Sequence, residues 1–515
     1  DDEWMIKFQK LNNNINPILE PKLSSFICPV LKKQVLWEEK DVFNPAAVVK
    51  DNLVYLLYRA EDRIGSLSGT SRIGLAWSED GINFQNRLTS PVLYPSKDKF
   101  SKYEWDGGCE DPRVIEKPAS LGGGYVMTYT SYDGTARLSV ATSYDLLNWT
   151  KHGPAFGKAF GGSYINAWTK SGSIVVEPQP DGRLVAVKIN GYFWMYWGEN
   201  DLHIAQSTDL INWIPLMTEH PDSVYRGRPD HLDIPTGAKK PLSVLTPRKG
   251  KFDSNLVEPG PPAILRPDGI LFIYNSKNTA CNDNPGHICT HGESDTNLAP
   301  GTYSAGQVLF SRDDPTVVLK RTSEPFFKPT EPFEITGQVG NVCFLEGLVF
   351  FKGKWLLYYG TADSKIAVAE ANIYDYKGLV DQRAKARREA AAASAEEGPD
   401  EEVFHLIGRV FGTTNSKNSA EHNNNNNNHN HNHLNNNENH QEFEENHHIE
   451  NNEPNEETNE EQNIQETEQH ETHKEENEKK EIKEEEIVEK LYESNPDEET
   501  KASKTIFDDV IAEEL

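Results

Sequence analysis

The sequence predicts an all-β fold: a five-bladed β-propeller, followed by a C-terminal helix and a disordered Asn/His/Glu-rich tail. Three observations carry this. An aromatic-rich strand recurs five times, a Ser-x-Asp turn follows three of the copies in register, and no long helical periodicity appears before residue 370. The spacing decides the blade number. The aromatic strands begin at 54, 125, 192, 270 and 355, and such intervals hold four short strands with their loops.

In chain order, residues 1–29 are expected to form an N-terminal extension and residues 30–372 the propeller, with the segment 28–49 completing the last blade. The recurrent strand reads Val54–Ala60, Tyr125–Ser131, Tyr192–Gly198, Ile270–Ser276 and Trp355–Thr361. Each is followed by a second strand ending near a hydroxyl or acidic residue. Ser78-Glu79-Asp80, Ser143-Tyr144-Asp145 and Ser207-Thr208-Asp209 then supply side-chain acceptors for nearby backbone N–H groups, which fixes a tight corner. Residues 373–400 lead through Arg383, Lys385 and Arg387 into an alanine run with helical propensity. Residues 401–515 carry 32 acidic and 9 basic side chains and few large apolar ones, too little to offset chain entropy by burial.

That tail holds most of the net charge of -29, and the remaining 400 residues are nearly balanced. No basic, aromatic-interleaved stripe is present, which argues against nucleic acid as a partner. No apolar run is long enough for a membrane span. The five cysteines do not form a disulfide framework, which favours a reducing, cytoplasmic setting while leaving a secretory route open. The acidic tail is a candidate surface for a protein partner. No cofactor or metal is expected: Cys281 and Cys289 with His287 and His291 are the best metal cluster, but the loop Asn278–Pro300 reads better as a rim shaping a substrate entrance.

The densest group of functional residue types is Trp105-Asp106-Gly107-Gly108-Cys109-Glu110-Asp111-Pro112-Arg113. Its glycines permit close backbone approach and Pro112 holds its predecessor extended. On an extended chain Glu110 and Asp111 point to opposite sides, so one faces the channel while the other pairs with Arg113.

With Asn44-Pro45-Ala46, Leu57-Tyr58-Arg59-Ala60, Ser71-Arg72-Ile73-Gly74, Gly260-Pro261-Pro262 and Tyr358-Tyr359-Gly360-Thr361-Ala362-Asp363, this segment resembles glycoside hydrolase family 130 over about residues 40–372. The resemblance implies a five-bladed propeller that cleaves β-mannosides with inversion, by phosphorolysis or hydrolysis. It implies Asp111 as general acid, delivering its proton through a sugar hydroxyl, and Asn44, Arg59 and Asp363 as the floor of the subsite for the cleaved mannose. Arg72, Trp105 and Arg113 are further candidate substrate contacts, with Tyr103 and Trp168 as alternative sugar platforms.

Phosphorolysis needs a cationic cage for a phosphate dianion, inorganic phosphate being the co-substrate. Arg72 is the best anion-binding candidate, with Lys188 and Arg248 as replacements from neighbouring loops. Two positions depart from the phosphorylase pattern, at Tyr196-Trp197-Gly198 and Tyr274-Asn275-Ser276. Glu258 stands where phosphorylases tend to have a small residue, so it is a candidate base for water or else a partner for Arg248. Glu177 is a weaker second candidate. Hydrolysis of β-mannosidic bonds in oligosaccharides is therefore favoured over phosphorolysis to mannose 1-phosphate. A catalytically inactive propeller, serving as a sugar- or protein-binding scaffold, is the alternative of another class.

Overall fold

The structure, a computed structural model, describes residues 4–67, 69–218, 240–280 and 293–372. The expected helix at 373–400, the tail at 401–515 and the Cys281, His287, Cys289, His291 group lie outside the described residues. The described part is nearly all β, its α-helices being the single turns Ser101–Glu104 and Pro332–Ile335.

Five antiparallel units of four strand positions account for most of it. The first runs Asp41–Lys50, Leu53–Glu61, Ser71–Ser78, Asn86–Arg87. The second runs Gly108–Glu116, Tyr125–Tyr132, Ala136–Ser143, Thr150–Pro154. The third runs Gly172–Pro178, Phe193–Trp197, Leu202–Ser207, Ile214–Pro215. In the fourth, Leu256–Pro259 and Ala263–Arg266 share the first position, before Gly269–Lys277, Tyr303–Phe310 and Val318–Arg321. The fifth runs Cys343–Phe351, Lys354–Thr361, Lys365–Asn372 and is completed by Gln9–Lys10. Every aromatic strand read from the sequence is the second strand of a unit.

The closing strand differs from expectation. It comes from Gln9–Lys10, paired with Ala369 and Glu370, whereas Asp41–Lys50 opens the first unit. Residues 4–29 are thus part of the sheet system: the Asn16 amide bonds Val368 through both its oxygen and its nitrogen, and Leu19 bridges Ile366. Residues 25–36 fold into a hairpin of Ser25–Cys28 on Lys33–Leu36.

The predicted turns form as their chemistry requires. The hydroxyls of Ser78, Ser143 and Ser207 accept backbone N–H groups two and three residues on, and Asp80, Asp145 and Asp209 each accept two further N–H groups and an Asn side chain. A variant occurs in the fourth unit, after its third strand, where Ser311 accepts from Asp313 and Asp314.

Four units share a buried lock that the sequence reading missed. The tyrosine of the second strand donates to a carboxylate from the loop before the first strand, and a cation from the fourth strand neutralises it. The sets are Tyr58–Glu38–Arg87, Tyr129–Glu104–Lys151, Tyr274–Asp253–Arg321 and Tyr359–Glu334–Lys10. Each ties inner loop, middle strand and outer strand together where a carboxylate without its cation would be costly to bury. In the third unit Tyr196 donates instead to the Pro315 carbonyl and packs on Phe310 with ring centroids 4.6 Å apart.

The first strands carry the feature that builds the site. Pairing with the second strand slips at Phe43/Pro45, Glu110/Arg113 and Leu345/Gly347, and these bulges centre on Asn44, Asp111 and Glu346. Asn44 and Asp111 sit at φ 48°, in the left-handed region that Asn and Asp tolerate better than most residues.

Candidate active site

Arg59, one residue beyond the locking tyrosine of the first unit, is the hub of a buried polar cluster. Its Nη1 donates to Asp111 Oδ1 at 3.0 Å, its Nη2 to Glu61 at 2.7 Å and Glu110 at 3.0 Å, and its Nε to Ser71 at 3.0 Å. Asn44 adds a 2.9 Å bond from Nδ2 to the same Asp111 oxygen. The bulge corrects the expected geometry of the Glu110-Asp111 pair: with Asp111 left-handed, both carboxylates turn onto one guanidinium instead of facing opposite ways. Arg113 pairs with Glu346 at 2.9 Å, not with either of them.

Lys170, unmarked by the sequence reading, joins the second half of the cluster. Its ammonium lies 3.9 Å from Asp111 Oδ2 and 4.0 Å from Glu258 Oε1, so these two carboxylates flank one small space. Ser171, at φ 52°, donates its hydroxyl to Glu258. A signal for this residue was present: Ser171 precedes Asp181-Gly182 by the same interval as Glu258 precedes Asp268-Gly269. Trp168 donates to Glu199 at 2.9 Å and sets its ring edge-on to Tyr132.

Charge is unevenly distributed. Burial pushes Glu258 up to about 7 against the pull of the Lys170 ammonium. Burial likewise raises Asp363 to about 7 despite nearby Arg59, and raises Glu110 to about 7, the neighbouring Asp111 charge adding to the effect. Asp111 is also buried, but Arg59, Lys170 and the Asn44 amide together hold it below the usual carboxylate range. The adjacent pair therefore retains one proton to near neutrality, carried by Glu110 rather than Asp111.

Several expected contacts are engaged elsewhere. Arg72 is fully buried against Asp62 at 2.7 Å, because a desolvated guanidinium needs a counter-charge and its neighbour strand supplies one. Arg248 forks onto Asp253 and the Thr322 carbonyl, so it is not the partner of Glu258. Lys188 is exposed, its ammonium over the Phe193 ring at the far end of the strand from Trp197. Arg113 is spent on backbone carbonyls and Glu346. Trp105 packs on the hydrophobic core of the first unit, and Tyr103 lies under Arg137. Glu177 sits at the opposite end of Gly172–Pro178 from Ser171, roughly 20 Å along an extended strand. The two departures from the phosphorylase pattern are structural: Trp197 packs on Phe156 and His203, and Asn275 bonds the backbone of Leu345 and Pro259.

The arrangement is a buried, carboxylate-rich cluster in which Arg59 and Lys170 already face acids, suited to hydroxyl recognition and proton transfer. A family model described as beta-1,4-mannooligosaccharide phosphorylase matches residues 14–381. The curated 1,2-beta-oligomannan phosphorylase of Thermoanaerobacter sp. (strain X514) is 30% identical over 382 residues, covering 72% of this chain and 100% of the relative. A crystal structure of a glycosyl hydrolase from Bacteroides ovatus is 42% identical with a TM-score of 0.63, over 72% of this chain and 95% of that one. A further solved structure is described in the words that the family of mannoside phosphorylases "contains glycoside hydrolases that target beta-1,2 mannosidic linkages in Candida mannan"; it is 41% identical, with a TM-score of 0.63 and the same coverage.

Proposed function

The chain belongs to glycoside hydrolase family 130, and on that premise we propose that it hydrolyses β-mannosidic bonds with inversion, at the centre of a five-bladed propeller formed by the five units. One observation carries the preference for water over phosphate. Among the described residues, the two cations that form ion pairs with Asp111 or Glu258 are Arg59 and Lys170, and both are surrounded by carboxylates: Glu61, Glu110 and Asp111 on the first, Asp111 and Glu258 on the second. A dianion entering there meets acids before it meets an unpaired positive charge.

In this reading Asn44, Arg59 and Asp363 hold the hydroxyls of the cleaved mannose, and Trp168 is the best-placed aromatic platform. Asp111, ionised before substrate binds, takes up the proton that Glu110 retains and delivers it through a sugar hydroxyl to the departing oxygen. Glu258, close to neutral in its affinity for a proton, takes one from the water that attacks the opposite face. The Asp111 and Glu258 oxygens are at most about 8 Å apart, since both lie within 4.0 Å of Lys170 Nζ, a bound that is compatible with inverting and with retaining pairs alike.

Phosphorolysis is the second reading, favoured by the names of the curated relatives. Those names make β-1,2-linked mannobiose the first substrate to try. Incubation with and without millimolar phosphate separates the two: free mannose at an unchanged rate supports hydrolysis, and phosphate-dependent mannose 1-phosphate overturns it.

A further inference from the structure

Arg113 stands two residues beyond Asp111 on the same strand and reaches across to the strand of Glu258. Its Nε donates to the Gly260 carbonyl at 2.7 Å and its Nη2 to the Pro259 carbonyl at 2.6 Å. Its Nη1 faces Glu346 at 2.9 Å and the Asp111 carbonyl at 3.5 Å. Glu346 is fully buried, centres the bulge of the fifth unit and has the Arg113 guanidinium as its ion-pair partner, while among the described residues neither of its oxygens receives a well-aligned hydrogen bond. Arg113 therefore balances a desolvated carboxylate and binds the backbone beside both flanking acids. Asn275 completes the clamp, donating to Pro259 and Leu345 and accepting from the Leu345 N–H. Three bulged or proline-bearing strand starts are thereby tied at one point, although their residues lie far apart in sequence.

We infer that Arg113 is a positioning residue: with Glu346 as its counter-charge, it fixes the Pro259–Gly260 backbone and so holds the Glu258 carboxylate in register with Asp111. The inference rests on the reading of Glu258 as the base. A lysine keeps the charge but cannot fork onto two carbonyls and a carboxylate. Small displacements of a reacting group cost about 100-fold per ångström. In the full chain, Arg113→Lys should lower kcat on β-1,2-mannobiose on the order of tenfold to a hundredfold, with KM within about twofold. In the Glu258→Gln background the same change should add less than about twofold to the loss, because the group it positions is gone.

Should Arg113→Lys fail to fold, the neutral pair Arg113→Gln with Glu346→Gln removes both buried charges together and is expected to show the same selective fall in kcat. Turnover within threefold of the parent in a folded Arg113 variant, or an undiminished loss in the Glu258→Gln background, overturns the inference. Full hydrolysis by Glu258→Gln alone sinks the base reading instead. An inactive Glu258→Gln beside an unimpaired Arg113→Lys sinks only the positioning role.

Discussion

Gly360 to alanine is the smallest change that should reach the site from a residue touching no substrate. A Cβ there would lie 2.3 Å from Asn44 Oδ1, 3.0 Å from its backbone nitrogen and 3.3 Å from Phe43 Cβ. The first distance is far inside contact, and Asn44 is held by its bulge and by the 2.9 Å bond to Asp111, so the amide must rotate away. Overpacking of this kind costs about 1–3 kcal/mol. Losing a hydrogen bond to an ionised carboxylate removes a further ~1.5–3 kcal/mol of local interaction. If the second amount is felt in the transition state, kcat/KM for mannose release falls roughly tenfold to a hundredfold. Melting temperature should drop by a few degrees, about 2–4 °C per kcal/mol being usual for domains somewhat smaller than this one. Adding Asn44→Gly removes the clashing side chain, so the double variant should regain stability without regaining activity. Parental melting temperature and activity in Gly360→Ala, or a double variant no more stable than the single, would refute the assigned contact.

The remaining predictions concern protons and buried charges. With Glu258 as base and the Glu110–Asp111 pair as the proton source, both titrating at about pH 7, kcat/KM for phosphate-independent mannose release should be bell-shaped, rising toward that value as Glu258 loses its proton and falling above it as the pair loses its own; a profile with no rising acid limb between pH 5 and 7 removes Glu258 from the role. Arg72→Met leaves Asp62 buried without its counter-charge and should destabilise by about 3–5 kcal/mol in urea unfolding, whereas an anion-binding Arg72 would instead show a phosphate-dependent defect. Lys10→Met strands Glu334 in the same way, and a large loss of stability there would establish the N-terminal strand as part of the folded unit. In Asp209, hydrogen bonds from Asn212 and Ile211 outweigh burial and lower the folded-state pKa. Its stabilisation is present above the unfolded value of about 3.9 and is lost as pH falls through the lower folded one, so the stability gap between parent and Asp209→Ala should close in acid.

What could be read from sequence follows the range of the interactions. The Ser-x-Asp turns need only partners within five residues, so Ser143 and Asp145 announce their structure by themselves. The aromatic strands repeat because each must pack against the next unit, and repetition is visible without knowing the contacts. The bulges were half visible: Asn44-Pro45 and Asp111-Pro112 share a polar residue before proline, as does the unbulged Glu258-Pro259, but only pairing with the second strand shows which strands bulge, and the bulge at Glu346 has no proline to mark it. Charge neutralisation was not visible. Arg72 stood out in sequence as the best anion-binding candidate and Arg248 as a replacement, yet Asp62 and Asp253 neutralise them, just as Glu346 and not Glu110 or Asp111 takes Arg113. Lys170 illustrates the converse. It follows an ordinary threonine with no motif around it, yet the start of the third unit sets it between Asp111 and Glu258. The number of cations near a site in sequence is thus a poor guide to its anion affinity. What governs that affinity is how many remain unpaired once burial has forced each to find a carboxylate, and the two that face this pocket have each found more than one.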